Sequence, residues 1–483
     1  MSQRIFVTVA GAVLLAFTLP ASRAALAATQ LFPAAEARNV SPDTPLRLTF
    51  AVPPALGTGG KIQIIDTASG AVVETIDVNA PTATQDIGGV PGFNYYPVIV
   101  SGNQATLYPR HGALAYAKTY SVAIAAGVFQ AALDQPTAWR FTTKSAAPAA
   151  GTVKLTVAAD GTGDFCTVQG ALDFIPEGNT TPTTVFVRKG TYTEIVCLTN
   201  KHAVTLLGED RQKTVIAYTN NAVFNRDLGG NPFGGASPDP STADAKLGPI
   251  YRRGLLLAHH VNDLTIANLT LHNTTPHGGA QAEAVIVNGT TTAHTIFKDV
   301  DFRSFQDTIQ VNGQAYYSNC LIEGDVDFMW GTGPSFFENC VARSVNSHTY
   351  YTQIRNPGTN HGFVYFRCTL DGAPGVTGNY LSRILPGRFP YSEVVLIDCV
   401  LSDAVLPVAW QFQGAPSATP ADNIHFWEFN SHSADGKPVD VTHRFAASRQ
   451  LAQPGDASLI NDYSNPTFVL GHDWNPKLAP IFK

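Results

Sequence analysis

Apolar and polar residues alternate with a period of two through most of this chain. The alternation is clear in Leu46-Arg47-Leu48-Thr49-Phe50, Lys61-Ile62-Gln63-Ile64-Ile65 and Thr119-Tyr120-Ser121-Val122-Ala123-Ile124. Turn residues punctuate these runs at Gly59-Gly60, Ser69-Gly70 and Gly102-Asn103. Short alternating strands separated by turns predict a small β-sandwich over residues 29–145. The small-residue stretch Ser145–Gly151 reads as a linker, with 146–152 as its bounds. No cluster of chemically active side chains stands out before it, so the module reads as a spacer or attachment domain.

From residue 153 to the end a different pattern repeats. A strand, a small polar corner and a second strand recur around Asn268, Asp299, Asn319, Asn339, Arg367 and Asp398. The corners return every 20–31 residues, which is the signature of a solenoid. β-Branched and aromatic residues dominate the repeats, so the solenoid is read as a parallel β-helix. Each strand then pairs with its equivalent on the next rung, ~4.7–4.9 Å away. Residues 168–175 form the one helical stretch, predicted to cap the open N-terminal end. Cys320, Cys340, Cys368 and Cys399 directly follow four of the corners. Cys320 and Cys340 fall one rung apart, and this spacing fits either a disulfide or a ladder of buried free thiols.

Composition narrows the function. Only 14% of the residues are charged and the formal net charge is −6, which excludes a disordered polyelectrolyte and a basic nucleic-acid binder. Residues 1–28 carry Arg4, an apolar run from Ile5 to Leu19 and an Ala25-Leu26-Ala27 cleavage signature. They read as a secretory signal peptide, placing the mature protein in the periplasm or outside the cell. No later stretch approaches the ~20 apolar residues of a membrane span. With six cysteines, no CxxC pair and no suitably spaced histidines, neither a disulfide scaffold nor a metal site is expected.

The candidate chemistry lies between residues 305 and 331. Asp307 and Asp327 are 20 residues apart, the rung spacing on either side of them, so a solenoid sets them on adjacent rungs. Two carboxylates that close do not both ionise freely unless a cation offsets one of them. Such a pair can divide nucleophile and acid roles. Phe305, Phe328 and Trp330 flank the pair and are candidates for a sugar-stacking wall.

Six motifs in order resemble the pectin methylesterases, over about two-thirds of the chain from Ala158 onward. They are Ala159–Val168, Lys189–Glu194 (GxYxE), Gln281–Val285 (QAVAL), Gln306–Thr308 (QDT), Asp327–Gly331 (DFxxG) and Tyr380–Arg383 (YLGR). The module before them resembles bacterial immunoglobulin-like domains. The resemblance implies a right-handed parallel β-helix that removes C6 methyl esters from pectin without a cofactor. It implies Asp327 as nucleophile, Asp307 as acid and base, Gln281 and Gln306 as oxyanion donors, and Arg383 as the partner that keeps Asp327 ionised. Gly190, Tyr192 and Glu194 are expected to be structural.

The chain also departs from the pattern. Ile384 and Leu385 follow Arg383 where the family usually carries Pro and Trp, so the usual sugar platform is missing. Trp330 or Trp410 are candidates to replace it. Glu283 stands where QAVAL has an apolar residue, and 220–253 is a long Gly-, Pro- and Asn-rich insertion. The expected partner is methylated pectin, with no nucleic acid and no membrane, and the expected state is a monomer. The competing readings are an ester or thioester hydrolase with a non-pectin substrate, and a non-catalytic saccharide-binding solenoid.

Overall fold

The computed structural model describes residues 26–131, 133–134, 139–227, 251–290, 292–414 and 423–483. Most of the expected signal peptide (1–25) and residues 228–250 of the insertion lie outside them. Three long sheets of parallel strands make up the C-terminal two-thirds. One runs through eleven strands from Lys154–Val157 to Arg449–Gln450. The other two have eight each, from Gly190–Tyr192 to Val400–Leu401 and from Val196–Thr199 to Trp410–Phe412. Each turn of chain contributes one strand to each sheet, which is the parallel β-helix read from the repeat.

The corners explain the repeat. Asn268, Asp299, Asn319, Asn339, Arg367 and Asp398 all take φ of 53–56°. That left-handed conformation tolerates Asn and Asp better than other side chains, so polar corners recur where the chain must turn sharply. Inside, equivalent positions stack. The rings of Phe297, Tyr317, Phe337 and Tyr365 lie 4.7, 4.4 and 4.7 Å apart in succession, matching the rung spacing.

The four corner cysteines are buried, and all six cysteines of the chain are unbonded. The disulfide reading of Cys320 and Cys340 is therefore corrected to the thiol ladder. The Cys320 backbone N–H donates to Cys340 Sγ at 3.4 Å, and Cys320 Sγ donates to Phe297 O at 3.6 Å. Each sulfur is satisfied by its own rung and its neighbour, and burial pushes the thiols up and away from the reactive thiolate.

The N-terminal module packs two five-stranded sheets around their own core, which includes Leu46, Leu48, Phe50, Trp139 and Phe141. It is not a free spacer. Its hairpin Ala83–Ile87/Val90–Tyr95 puts Ile87, Val90, Phe93 and Tyr95 into the core of the solenoid. The hairpin tip, Gly88, has φ of 55°, and a Cβ there would lie 2.1 Å from Cys197 O, so only glycine permits this approach.

The capping helix spans Val168–Phe174. Thr167 caps it, and Asp43 of the module accepts from Cys166 N and Thr167 N at 2.9 and 2.8 Å. Glu194 accepts from Val168 N and Gln169 N at 2.8 and 2.9 Å, which gives that motif residue a structural role. Negative charge at a helix N-terminus is favourable, so the module helps to close the solenoid.

Alkylation without reductant should label all six cysteines in the unfolded chain and essentially none in the native protein. Fewer than six labelled on unfolding would contradict the free-thiol ladder.

Candidate active site

Three acidic residues stack on successive rungs. Val285 pairs with Ile309, and Ile309 pairs with Met329. Two positions before each of these stand Glu283, Asp307 and Asp327. The Ala284 N–H donates to Thr308 O at 2.8 Å and the Asp307 N–H to Val326 O at 3.1 Å, which ties the three segments together. Asp307 and Asp327 share an unusual backbone, with φ of 65° and 47°. Non-glycine residues in the left-handed region mark a constraint imposed by the surroundings.

Guanidinium groups balance this ladder. Arg383 forms a two-pronged pair with Asp327: Nε to Oδ1 at 2.9 Å and Nη2 to Oδ2 at 2.6 Å. Gln353 Nε2 adds a third donor to Asp327 Oδ2 at 3.2 Å, and Arg355 in turn holds Gln353 Oε1. Arg253 is buried at the other end. It grips Glu283 through Nε at 3.0 Å and Nη2 at 2.9 Å, Nη1 lies 3.3 Å from Asp227, and Nη2 lies 3.9 Å from Asp307 Oδ2.

These contacts divide the two aspartates. Burial leaves the Asp327 carboxyl above its ordinary range, although the hydrogen bonds and charge of Arg383 and the charge of Arg355 pull it part of the way back. Asp307 is pushed well above the usual carboxylate range. Burial is the main cause, with Glu283 and Asp327 adding to it and Arg253 and Arg355 opposing. Asp327 has directed cationic donors and Asp307 has none, so of the two Asp327 is the more readily ionised and Asp307 holds its proton more tightly.

The remaining candidates fall into two groups. Gln281 and Gln306 lie on the neighbouring rungs, where the Ala282 N–H donates to Gln306 O at 3.2 Å. Gln306 and Phe305 line a cavity of about 120 Å³ together with His277, Asp325 and Asn346. Phe305 stands edge-on to His277 at 5.3 Å. Trp330 is buried beside the charged groups, with the guanidinium groups of Arg355 and Arg253 4.8 and 5.7 Å from its ring.

Phe328 and Trp410 are not wall residues; both are fully buried in the solenoid core. The pairing irregularity between Val326 and Met329 breaks the two-residue alternation. Phe328 and Met329 therefore both face inward. Trp410 pairs with Ser382 in an inward column and stacks on Phe426 at 4.8 Å.

Arg253, Gln353 and Arg355 escaped the sequence reading. Trp330 pairs with Gln353, 23 residues on, so a rung-by-rung register, unlike a fixed 20-residue offset, finds it.

A family model described as Pectinesterase matches residues 154–228 and 251–468, and one described as Bacterial Ig-like domain matches 22–143. Pectinesterase 31 of Arabidopsis thaliana is 29% identical over 267 residues, covering 53% of this chain and 76% of the relative. Pectinesterase 3 of Citrus sinensis is 28% identical over 340 residues, covering 67% of this chain and 52% of its own length. Among solved structures, the pectin methylesterase of Aspergillus niger aligns with TM-score 0.51 at 25% identity, covering 68% of this chain and 96% of that one. The carrot enzyme aligns with TM-score 0.53 at 20% identity, over 68% of this chain and 96% of that one.

Replacing Arg383 by Met leaves Asp327 buried without its main counter-ion. Breaking such a pair costs about 3–5 kcal/mol in fully buried cases, and the partial exposure here points to the lower end. Urea unfolding should show this loss at neutral pH and a smaller one in acid, where Asp327 is protonated. A loss that does not depend on pH would contradict the pairing.

Proposed function

The chain belongs to the pectinesterase family, a family of carboxylic ester hydrolases, and on that premise we propose that it demethylates pectin through Asp327 and Asp307. Asp327, ionised, attacks the C6 carbonyl carbon of a methylated galacturonate unit. The carbonyl π electrons move onto oxygen, and the amides of Gln281 and Gln306 donate to that oxyanion. As the tetrahedral species collapses, the C–O bond to methoxide breaks and Asp307 gives its proton to the departing oxygen, releasing methanol. Asp307, now ionised, takes a proton from water. The hydroxide equivalent attacks the acyl carbon, and Asp327 leaves as carboxylate while Asp307 is again protonated.

The arrangement that carries this reading is the asymmetry of the pair. Arg383 holds Asp327 with two prongs, and Asp307 sits one rung away among acidic neighbours without a directed cationic donor. A hydrolase of this kind needs one carboxylate to attack while the other arrives protonated. The pectin substrate is supported by the relatives named as pectinesterases and by a fold neighbour solved with a hexasaccharide at TM-score 0.50. Trp330, expected to replace the Trp the family carries after its arginine, is buried at 4% exposure under Tyr251, Arg253 and Arg355, so a sugar ring reaches it only if these side chains move. The leader at 1–28 supports export. Among the described residues no helix is long and apolar enough to cross a membrane.

Methanol release from methylated pectin tests the proposal. Asp327→Ala and Asp307→Ala should each abolish it while the far-ultraviolet spectrum stays unchanged, and Gln281→Ala or Gln306→Ala should lower kcat by ~10²–10³. Full activity in Asp327→Ala would contradict the mechanism. Activity on small methyl esters with none on pectin would contradict the substrate.

A further inference from the structure

The hairpin that docks the N-terminal module also reaches the acid ladder. Asn225 Oδ1 accepts from the Asn94 N–H at 2.7 Å, and Asn225 Nδ2 donates back to Asn94 O at 3.0 Å. Tyr96 stacks on Phe224 at 4.8 Å. Arg252 Nη1 donates to Pro91 O at 3.0 Å and to Gly92 O at 2.5 Å, while Arg252 Nε ties back to Arg226 O at 2.8 Å. The module thus clasps both sides of the insertion, at Phe224–Asn225 and at Arg252, and Arg252 in turn holds Arg226. The next residue on each side, Asp227 and Arg253, belongs to the charge cluster against Asp307.

We propose that the N-terminal module is a positioning part of the esterase site, holding Arg252 and Asn225 so that the buried Arg253–Glu283 pair sits against Asp307 and sets its proton affinity. The proposal rests on Asp307 being the proton-transfer group. Four charged groups face Asp307: Glu283 and Arg253 from the preceding rungs, Asp327 and Arg355 from the following ones. Asp227 acts through Arg253, and Arg383 through Asp327.

With Asp307 protonated, three guanidinium groups (Arg253, Arg355, Arg383) meet three carboxylates (Asp227, Glu283, Asp327). Ionising Asp307 adds one uncompensated negative charge to a buried cluster. Burial already pushes Asp227 up to about 6, with Arg253 and Arg252 opposing and Glu283 adding to it. Glu283 therefore raises the affinity of Asp307 for its proton, and Arg253 lowers it. Arg253 is a positioning residue here: it acts on the carboxyl and need not touch the substrate.

The test is the pH profile of kcat/KM for methanol release, measured on the full chain. The alkaline limb reports the proton leaving Asp307. A unit charge at this range moves a carboxyl by about one to three pH units. Glu283→Gln should move the alkaline limb down by about one unit or more, and Arg253→Gln should move it up. Arg253→Lys should restore most of the wild-type profile. Arg252→Ala, which cuts the tie to the module together with the bond to Arg226 O, should move the limb in the same direction as Arg253→Gln. It should also lower kcat by about tenfold, within the ~10²-fold that a 1 Å misplacement costs.

An Arg252→Ala enzyme with wild-type kcat and limb would overturn the proposal, as would Glu283→Gln and Arg253→Gln profiles that move together or not at all. Should Arg253→Gln fail to fold, Glu283→Gln and Arg252→Ala decide the matter alone. Asp327→Ala separates the two readings. If it is active, the esterase mechanism falls. If it is inactive while the limbs of the Glu283, Arg253 and Arg252 variants stay fixed, only the role of the module falls.

Discussion

Negative charge stacked at rung spacing is the constraint around which this site is built. A parallel β-helix places equivalent residues ~4.8 Å apart, and here Glu283, Asp307 and Asp327 occupy one such column. Water cannot screen them well, because Glu283 is fully buried and Asp327 nearly so. The column survives because guanidinium groups are aimed at its ends, Arg253 at Glu283 and Arg383 at Asp327. The middle carboxyl has only a distant Arg253, 3.9 Å away, and no directed donor, and it is pushed well above the usual carboxylate range. In the proposed mechanism, attack by Asp327 and proton transfer by Asp307 follow from which members of the column are held by a cation.

The backbone supplies the other half of the arrangement. The two aspartates share a left-handed conformation, and the strand after Asp327 slips register against its neighbour. That slip sends Phe328 and Met329 inward together and turns Trp330 toward the charged groups. The corner ladders, aromatic stack and thiol column on the other sheets keep the rungs rigid enough to hold these positions. The module adds its own hairpin to the solenoid core, so the two units share packing as well as chain.

Much of this was legible in the sequence, for a physical reason. A left-handed corner admits few residue types, so Asn and Asp recur visibly at 268, 299, 319, 339 and 398. The Asp307–Asp327 pairing was legible because its 20-residue spacing matches that of the neighbouring corners Asp299, Asn319 and Asn339. Arg253, Gln353 and Arg355 were not, because rung length changes to 23 or 24 residues on either side of the pair and the insertion precedes Arg253. Phe328 reads as a wall residue and Trp410 as a replacement sugar platform because alternation alone does not reveal a slipped strand or an inward column. The apolar residues of the 83–95 hairpin looked like part of a self-contained sandwich, and nothing local showed that they serve another core.

Carboxyl infrared titration, with Asp307→Asn and Asp327→Asn variants to assign the bands, tests the division of charge most directly. The account predicts that in the resting protein near neutral pH the Asp327 band is that of a carboxylate and the Asp307 band that of a protonated acid. An ionised Asp307 beside a protonated Asp327 would contradict it.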